Sequence, residues 1–407
     1  MRMSIGAQAV ARCQAWRHPP FSDAPDGLSR RYLTPAHRAA ITEMTSWMEA
    51  AGMAVRLDPA GTLIGRYEGT GNKTLLIGSH IDTVGDAGAY DGTLGVMLGL
   101  GCVEALAAKS RRLPFAIEIL AFGDEEGSRF HSSMLGSRAL AGTLAGVPEI
   151  ADAAGVSLAD AMRSFGLDPT QLPQAARGRD DVLLFLEPHI EQGPVLEAEG
   201  LAVGIVTGIA AQTRFKIGLQ GMANHAGTTP MHLRRDALAA AAEAMLALES
   251  IALEAGIVGT VGAIEAFPGV SNVVPGRVSF SVDLRAPTEA ARDAGGGQFG
   301  KVLQEICARR GIVADVQTVQ SLDACYCDEP AQKLLAQAVA GCGVAPFYLP
   351  SGAGHDAMSV AALCPVAMLF IRCLKGISHN PAEHVEVEDV EAAAQVMLAF
   401  FELLAGQ

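Results

Sequence analysis

A chain of 407 residues exceeds the roughly 250 to 300 at which one hydrophobic core stops growing, so two domains are expected, side by side or one inserted in the other. With 50% apolar and 18% charged residues it reads as an ordinary globular protein, not a disordered one. The formal charge of −14 argues against DNA or RNA as partner, since such binding rests on lysine and arginine releasing counterions from phosphates.

The N-terminus, MRMSIGAQAVARCQAW, carries arginines at 2 and 12 around a short, polar-interrupted segment and lacks the apolar centre of a secretory signal. No run reaches the ~20 apolar residues of a membrane span. The eight cysteines, at 13, 102, 307, 325, 327, 342, 364 and 373, form no CxxC pair and read as core thiols in a reducing compartment. A cytoplasmic protein without a membrane partner is expected.

In chain order, residues 36–52 have the apolar spacing of an amphipathic helix that stops near Gly52. Strands are predicted at 62–67, 74–79, 115–122 and 182–186, with a helix at 93–109, an alternation that predicts an α/β sheet covered by helices. From 212 the character changes: a strand in TRFKIGLQG, an Ala-rich helix at 232–253, strands in VGTVGAIEAF and GRVSFSVDLRA, a helix near 298–310 and a strand in IVADVQTV. That order is the split βαβ pattern of a ferredoxin-like α+β domain. It places an inserted domain at 212–326 inside a larger domain of 1–211 plus 327–407. The run Ala294-Gly295-Gly296-Gly297 reads as a flexible turn without function.

Chemistry-bearing residues gather at predicted strand ends. GSHIDTVGDAGAYDG places His80, Asp82 and Asp91 after one strand. The plain alternative is a polar loop in which Asp91 caps the helix opened by Gly92-Thr93-Leu94. Further clusters are Gly123-Asp124-Glu125-Glu126-Gly127, Glu187-Pro188-His189-Ile190-Glu191-Gln192-Gly193, Asn224-His225-Ala226-Gly227 and Ser378-His379-Asn380-Pro381. In open α/β sheets, sites form where the carboxyl ends of strands meet a crevice. Imidazoles mixed with carboxylates, without thiolates, suit Zn²⁺ or Mn²⁺ and also admit Co²⁺ or Ni²⁺. Two divalent ions account for the surplus of ligands, because one carboxylate can bridge ions about 3.5 to 4 Å apart and lower the pKa of a shared water. In the adjacent pair Glu125-Glu126, one side chain can ligate while the other serves as general base.

The motifs GSHIDTV, YDGTLGV, DEEGSRF, HIEQGPVLE, NHAGTTPM, SNVVPG, DLRA, SGAGHDAM and GISHNPAE resemble, in that order, the hydantoinase/carbamoylase branch of the aminoacylase and carboxypeptidase clan of di-metal hydrolases. That branch includes allantoate amidohydrolases, N-carbamoyl-L-amino-acid hydrolases and β-ureidopropionases. The resemblance implies a metallopeptidase-like α/β catalytic domain holding two divalent metal ions per subunit. His80 and His189 would hold one, Glu126 and His379 the other, with Asp91 bridging. Glu125 would be the general base, and Asp82 would accept the second ring N–H of His80. The inserted domain would form a homodimer and act as a lid. His225 would stabilise the oxyanion, and Gln192, Arg214, Asn272, Arg285 and Gly354 would contact substrate. Two alternatives stay open: Arg285 as a surface ion pair, and Asn272 as a turn residue.

The implied activity is hydrolysis of the carbamoyl C–N bond of a small ureido acid. Ser22-Asp23-Ala24-Pro25-Asp26-Gly27 with Ser29-Arg30-Arg31-Tyr32 looks closest to the allantoate enzymes, which yield ureidoglycine, ammonia and carbon dioxide. An N-carbamoyl-L-amino-acid hydrolase or a β-ureidopropionase is the nearer alternative. A nucleotide-dependent oxidoreductase is the alternative from another class, because Gly352-Ala353-Gly354-His355-Asp356-Ala357 fits a dinucleotide-loop string, a weak match that opens no clear βαβ unit and has Arg372 rather than an acid near the ribose-binding distance.

Overall fold

The computed structural model describes residues 3–407; Arg2, part of the N-terminal segment read above, lies outside them. The chain divides into two compact units, Met1–Thr207 with Tyr326–Gln407, and Gly208–Cys325.

Among the described residues, the first unit is organised by a nine-stranded sheet. Its centre is four parallel strands in the order Phe115–Phe122, Lys73–His80, Val182–Ile190 and Val366–Ile371. Parallel strands are covered on both faces and so need continuous apolar runs; every residue of Phe115–Phe122 is buried. Antiparallel strands close the sides, Leu63–Tyr67 beside Phe115–Phe122 and Val203–Ile209 beside Val366–Ile371. Because the four central strands share one direction, their carboxyl ends open on one edge, and the site residues of this unit follow from that.

The helix Thr93–Ala108 is buried along most of its length and packs on the central strands. Its N-cap is Gly92, with no side-chain cap, so Asp91 does not cap this helix and its carboxylate is directed elsewhere. The helix Pro35–Ala50 begins as expected, with Thr34 Oγ1 accepting from the His37 amide and Pro35 in the first turn. A helix not foreseen, Ile5–Ala15, packs on Thr93–Ala108 and on the C-terminal helix Val387–Ala405. Its buried face is made of the small residues Gly6, Ala9 and Cys13, a weak hydrophobic signal. Seven cysteines are buried, but Cys342, just past the helix Glu329–Gly341, is exposed and is no core thiol. No helix of the described residues is long and apolar enough to cross a membrane.

In the second unit the strand Ala211–Gln220 lies between Arg277–Ala286 and Val313–Leu322, all antiparallel. Val258–Thr260 and Ile264–Phe267 pair with the outer side of Arg277–Ala286. Counting these two short strands as one, the chain order across the sheet is 2-3-1-4, the ferredoxin-like arrangement. Strict burial alternation along Arg277–Ala286 marks one covered face, against which the helices Ala237–Ala255 and Glu289–Arg310 pack. The glycine run expected as a flexible turn lies inside the second of these helices. Gly295 is buried there, and a Cβ on it would stand 2.3 Å from Ile257 Cδ1, so the bare backbone is what lets the helix approach.

Candidate active site

Two imidazoles are aimed by their own backbone. His80 Nδ1 lies 3.0 Å from the Asp82 carbonyl oxygen, and His189 Nδ1 lies 2.8 Å from that of Ile190. A carbonyl only accepts, so each Nδ1 carries a proton and in the neutral ring each Nε2 presents a lone pair, which at His189 accepts the Gly92 N–H at 3.3 Å. Both Nε2 atoms face Oδ1 of Asp91, at 4.0 Å from His80 and 3.3 Å from His189. The other carboxylate oxygen faces a different pair: His379 Nε2 is 3.1 Å from Asp91 Oδ2 and 3.4 Å from Glu126 Oε1. Ligand atoms of His80, Asp91 and His189 all lie within 4.8 Å of one another, and so do those of Asp91, Glu126 and His379. Asp91 is the residue common to both groups.

The electrostatics fit a pair of divalent cations. Burial raises Glu125 well above the usual carboxylate range and raises Glu126 to about 7. Burial would raise Asp91 as well, but the hydrogen bond with His379 and the nearby imidazoles outweigh it and hold it below its ordinary value. His379 is correspondingly pushed up to about 9 by that hydrogen bond. Buried carboxylates crowded in this way must take up protons or a cation. Imidazole nitrogens beside carboxylates, without thiolates, are the donors that zinc and manganese accept.

Asp82 differs from expectation. Its carboxylate Oδ1 is 3.6 Å from the His80 ring nitrogen, beyond a hydrogen bond, while its main-chain carbonyl holds that ring. The carboxylate instead accepts the backbone N–H groups of Glu125 at 3.2 Å and Glu126 at 3.3 Å. The two glutamates then diverge: Glu125 Oε2 lies 4.0 Å from His80 Nε2, whereas Glu126 faces His379. Gln192 reaches Asp91, with Nε2 donating to both of its carboxylate oxygens at 3.0 Å and to Ser378 Oγ at 3.1 Å. Gly354 is exposed in the loop that precedes His355.

The remaining expected residues sit in the second unit. His225 is exposed, and its Nδ1 accepts the Gly227 N–H at 3.1 Å, which places the proton of a neutral ring on Nε2 and makes that atom a donor. The pairing of Val273 with His225 and the bond from the Ala226 N–H to the Asn272 carbonyl at 2.9 Å bring His225 and Asn272 together. Arg214 and Arg285 converge on Asp283, through Arg214 Nε at 3.0 Å and Arg285 Nε and Nη2 at 3.0 Å each. The ion-pair alternative for Arg285 is therefore present, on a half-buried side chain.

Sequence reasoning gave no role to Glu187, His355, Ser378 or Glu383. Glu187, His189 and His355 form a third buried group of possible metal ligands, and Glu187 accepts from Ser79 Oγ and the Ala357 amide. A glutamate ending the apolar run Val182–Leu186 was the available signal. Glu383 and Ser378 lie in the GISHNPAE motif and bond to the segment carrying Asp91.

The dinucleotide reading of 352–357 fails on geometry. The helix after the loop, Asp356–Val360, has five residues, and its first turn buries His355 and Asp356. Arg372, which stands where a ribose-binding acid would be expected, is held by both carboxylate oxygens of Asp389, at 2.7 and 2.8 Å.

Comparison with known proteins agrees with the hydrolase reading. Residues 76–403 match Peptidase family M20/M25/M40. The chain is 43% identical to an N-carbamoyl-L-amino acid amidohydrolase of Geobacillus stearothermophilus over 91% of its length and 92% of that protein's. It is 39% identical to allantoate deiminase 1 of Glycine max, over 98% of this chain and 89% of the other. A solved amidase of the hydantoinase/carbamoylase family from Burkholderia multivorans superposes with a TM-score of 0.90 at 30% identity, covering 98% of this chain and 97% of that one.

Proposed function

The chain belongs to peptidase family M20/M25/M40, and from that premise we propose a di-metal amidohydrolase that cleaves the terminal carbamoyl C–N bond of a ureido acid, with allantoate as its substrate. It is a hydrolase acting on carbon–nitrogen bonds, and the oxidoreductase alternative falls with that membership. The observation that carries the reading is Asp91, whose two oxygens face two separate sets of nitrogen and oxygen donors.

Bound divalent cations would supply Lewis acidity and bring the pKa of a water towards neutrality. Glu125, buried and beside His80, takes the proton from the attacking water and delivers it to the departing nitrogen. Asp82 fixes Glu125 by its main chain. The Nε2–H of His225 donates to the carbonyl oxygen as charge develops there. Water adds to the ureido carbon, the bond to the terminal nitrogen breaks, ammonia leaves, and the remaining carbamate loses carbon dioxide to free ureidoglycine. The second unit supplies the dimer contact and the lid, with Asn272, Arg214 and Arg285 offered to the substrate. Arg285 would then exchange Asp283 for the substrate carboxylate, which its planar fork suits equally.

Allantoate is favoured because it is polar at both ends, and because the likeness to an allantoate deiminase runs over 98% of the chain. The higher identity to an N-carbamoyl-L-amino acid amidohydrolase favours the second reading. The test is ammonia release from metal-loaded protein. We expect kcat/KM for allantoate to exceed that for N-carbamoyl-L-methionine and 3-ureidopropionate by at least about tenfold, ~1.4 kcal/mol of transition-state binding. Preference for either carbamoyl compound removes allantoate but keeps the ureido-acid class, and no release from any of the three removes both.

A further inference from the structure

Glu383 is 3% exposed and lies in a tight turn, where its own N–H donates to the Asn380 carbonyl at 3.0 Å. Burying a carboxylate this deeply is costly unless donors surround it. Three do, and they come from both segments that carry the cation ligands. Oε1 accepts the backbone N–H groups of Tyr90 at 2.7 Å and of Asp91 at 3.1 Å. Oε2 accepts from Ser378 Oγ at 3.0 Å, the residue before His379. Ser378 Oγ in turn receives the Gln192 amide at 3.1 Å, which leaves its single proton for a carboxylate, and Glu383 is nearer than Asp91 Oδ2 at 3.3 Å. Gly88 is shaped to this contact: a Cβ there would stand 2.3 Å from Cδ and Oε1 of Glu383.

We propose that Glu383 is a positioning residue that clamps the Tyr90-Asp91 segment to the Ser378-His379 segment, and so fixes the spacing at which the bridging carboxylate and His379 meet their cation. The proposal rests on the di-metal reading of the site. Glu383 touches neither substrate nor cation; it acts on Asp91 through the main chain and on His379 through Ser378. Outer groups that orient metal ligands in this way change metal affinity by roughly 10- to 100-fold.

The test is Zn²⁺ affinity and stoichiometry by equilibrium dialysis against a competing chelator, with thermal melting of the cation-free protein alongside. Glu383→Leu removes the acceptors and is expected to weaken at least one Zn²⁺ site by about tenfold or more. Glu383→Gln keeps a carbonyl for the two amides and can donate to Ser378, so it is expected to restore affinity to within about threefold. Gly88→Ala keeps the carboxylate but pushes it from the amides, and should reproduce the Glu383→Leu loss; in the double variant the losses should not add, because both act on one contact. This variant decides the matter should Glu383→Leu fail to fold. Wild-type affinity at both sites in folded Gly88→Ala or Glu383→Leu overturns the clamp alone. A wild-type chain that binds no Zn²⁺ overturns the di-metal reading, and the clamp with it.

Discussion

The carboxylate of Asp82 accepts the backbone N–H of Glu125 at 3.2 Å, holding the proposed base by its main chain and leaving its side chain free. The same carboxylate takes the Glu126 N–H on its second oxygen. Asp82→Asn offers one acceptor oxygen for two donors and turns an NH₂ group towards an N–H. We expect kcat to fall about tenfold or more at saturating metal. Steady-state kinetics that show an unchanged kcat would remove Asp82 from the positioning of the base.

The divergence of Glu125 and Glu126 separates two losses. Glu125→Gln should keep its metal, measured by elemental analysis, yet lose about 10²-fold or more in turnover. Glu126→Gln should lower metal occupancy first. Equal metal loss in both variants would end this division of labour.

Stripping the metal should abolish turnover and lower the melting temperature, because a ligand that binds only the native chain adds stability by mass action. Full turnover in protein shown to be metal-free would contradict the site.

The central sheet was legible because strands covered on both faces must be continuous apolar runs, and Leu75-Leu76-Ile77 and Val182–Leu186 are such runs. The clusters at their ends were legible for the same topological reason. The orientation of Asp82 was not, since its place two residues after His80 does not say whether carbonyl or carboxylate faces the ring. Glu383 bonds to an amide 293 residues away, and no local pattern encodes that pairing. The engagement of Arg285 was within reach: Asp283 is two residues earlier on the same strand and therefore on the same face. The glycine run misled because helix propensity argues against it, while close packing on Ile257 decides in its favour.

The proposed dimer carries its own prediction. Sedimentation should show a homodimer, and a mixture of Glu125→Gln with His225→Ala chains, dissociated and reassembled, should regain activity that neither parent has. This follows if His225 serves the site of the partner copy. A fully active monomer would remove both the dimer and that division.

The last prediction concerns His37, far from any proposed ligand in sequence and fully buried. Its ring stacks on Phe165 at 5.6 Å and tilts against Tyr32, and Nδ1 accepts the Leu33 N–H at 3.2 Å. The neutral ring therefore carries its proton on Nε2, which has no hydrogen-bond partner, and a second proton would have to go on Nδ1, displacing the Leu33 N–H and burying an unpaired charge. Burial, helped by the charges of Arg30 and Arg38, lowers its pKa to about 3 from an ordinary 6.5. The folded value lies below the unfolded one, so the unfolded chain takes up a proton that the fold refuses. The contribution of the neutral ring is complete above about pH 6.5 and is lost as the pH falls towards 3. His37→Gln keeps an acceptor for the Leu33 amide but does not titrate. It should be less stable than the wild type at pH 7.5, and the gap should narrow by about 2.7 kcal/mol by pH 4.5, at ~1.4 kcal/mol per pH unit below 6.5. Urea unfolding of both cation-free chains across that range measures the difference, in which the other titrating groups cancel. A gap that stays constant with pH would show that His37 is protonated in the folded chain as readily as in the unfolded one.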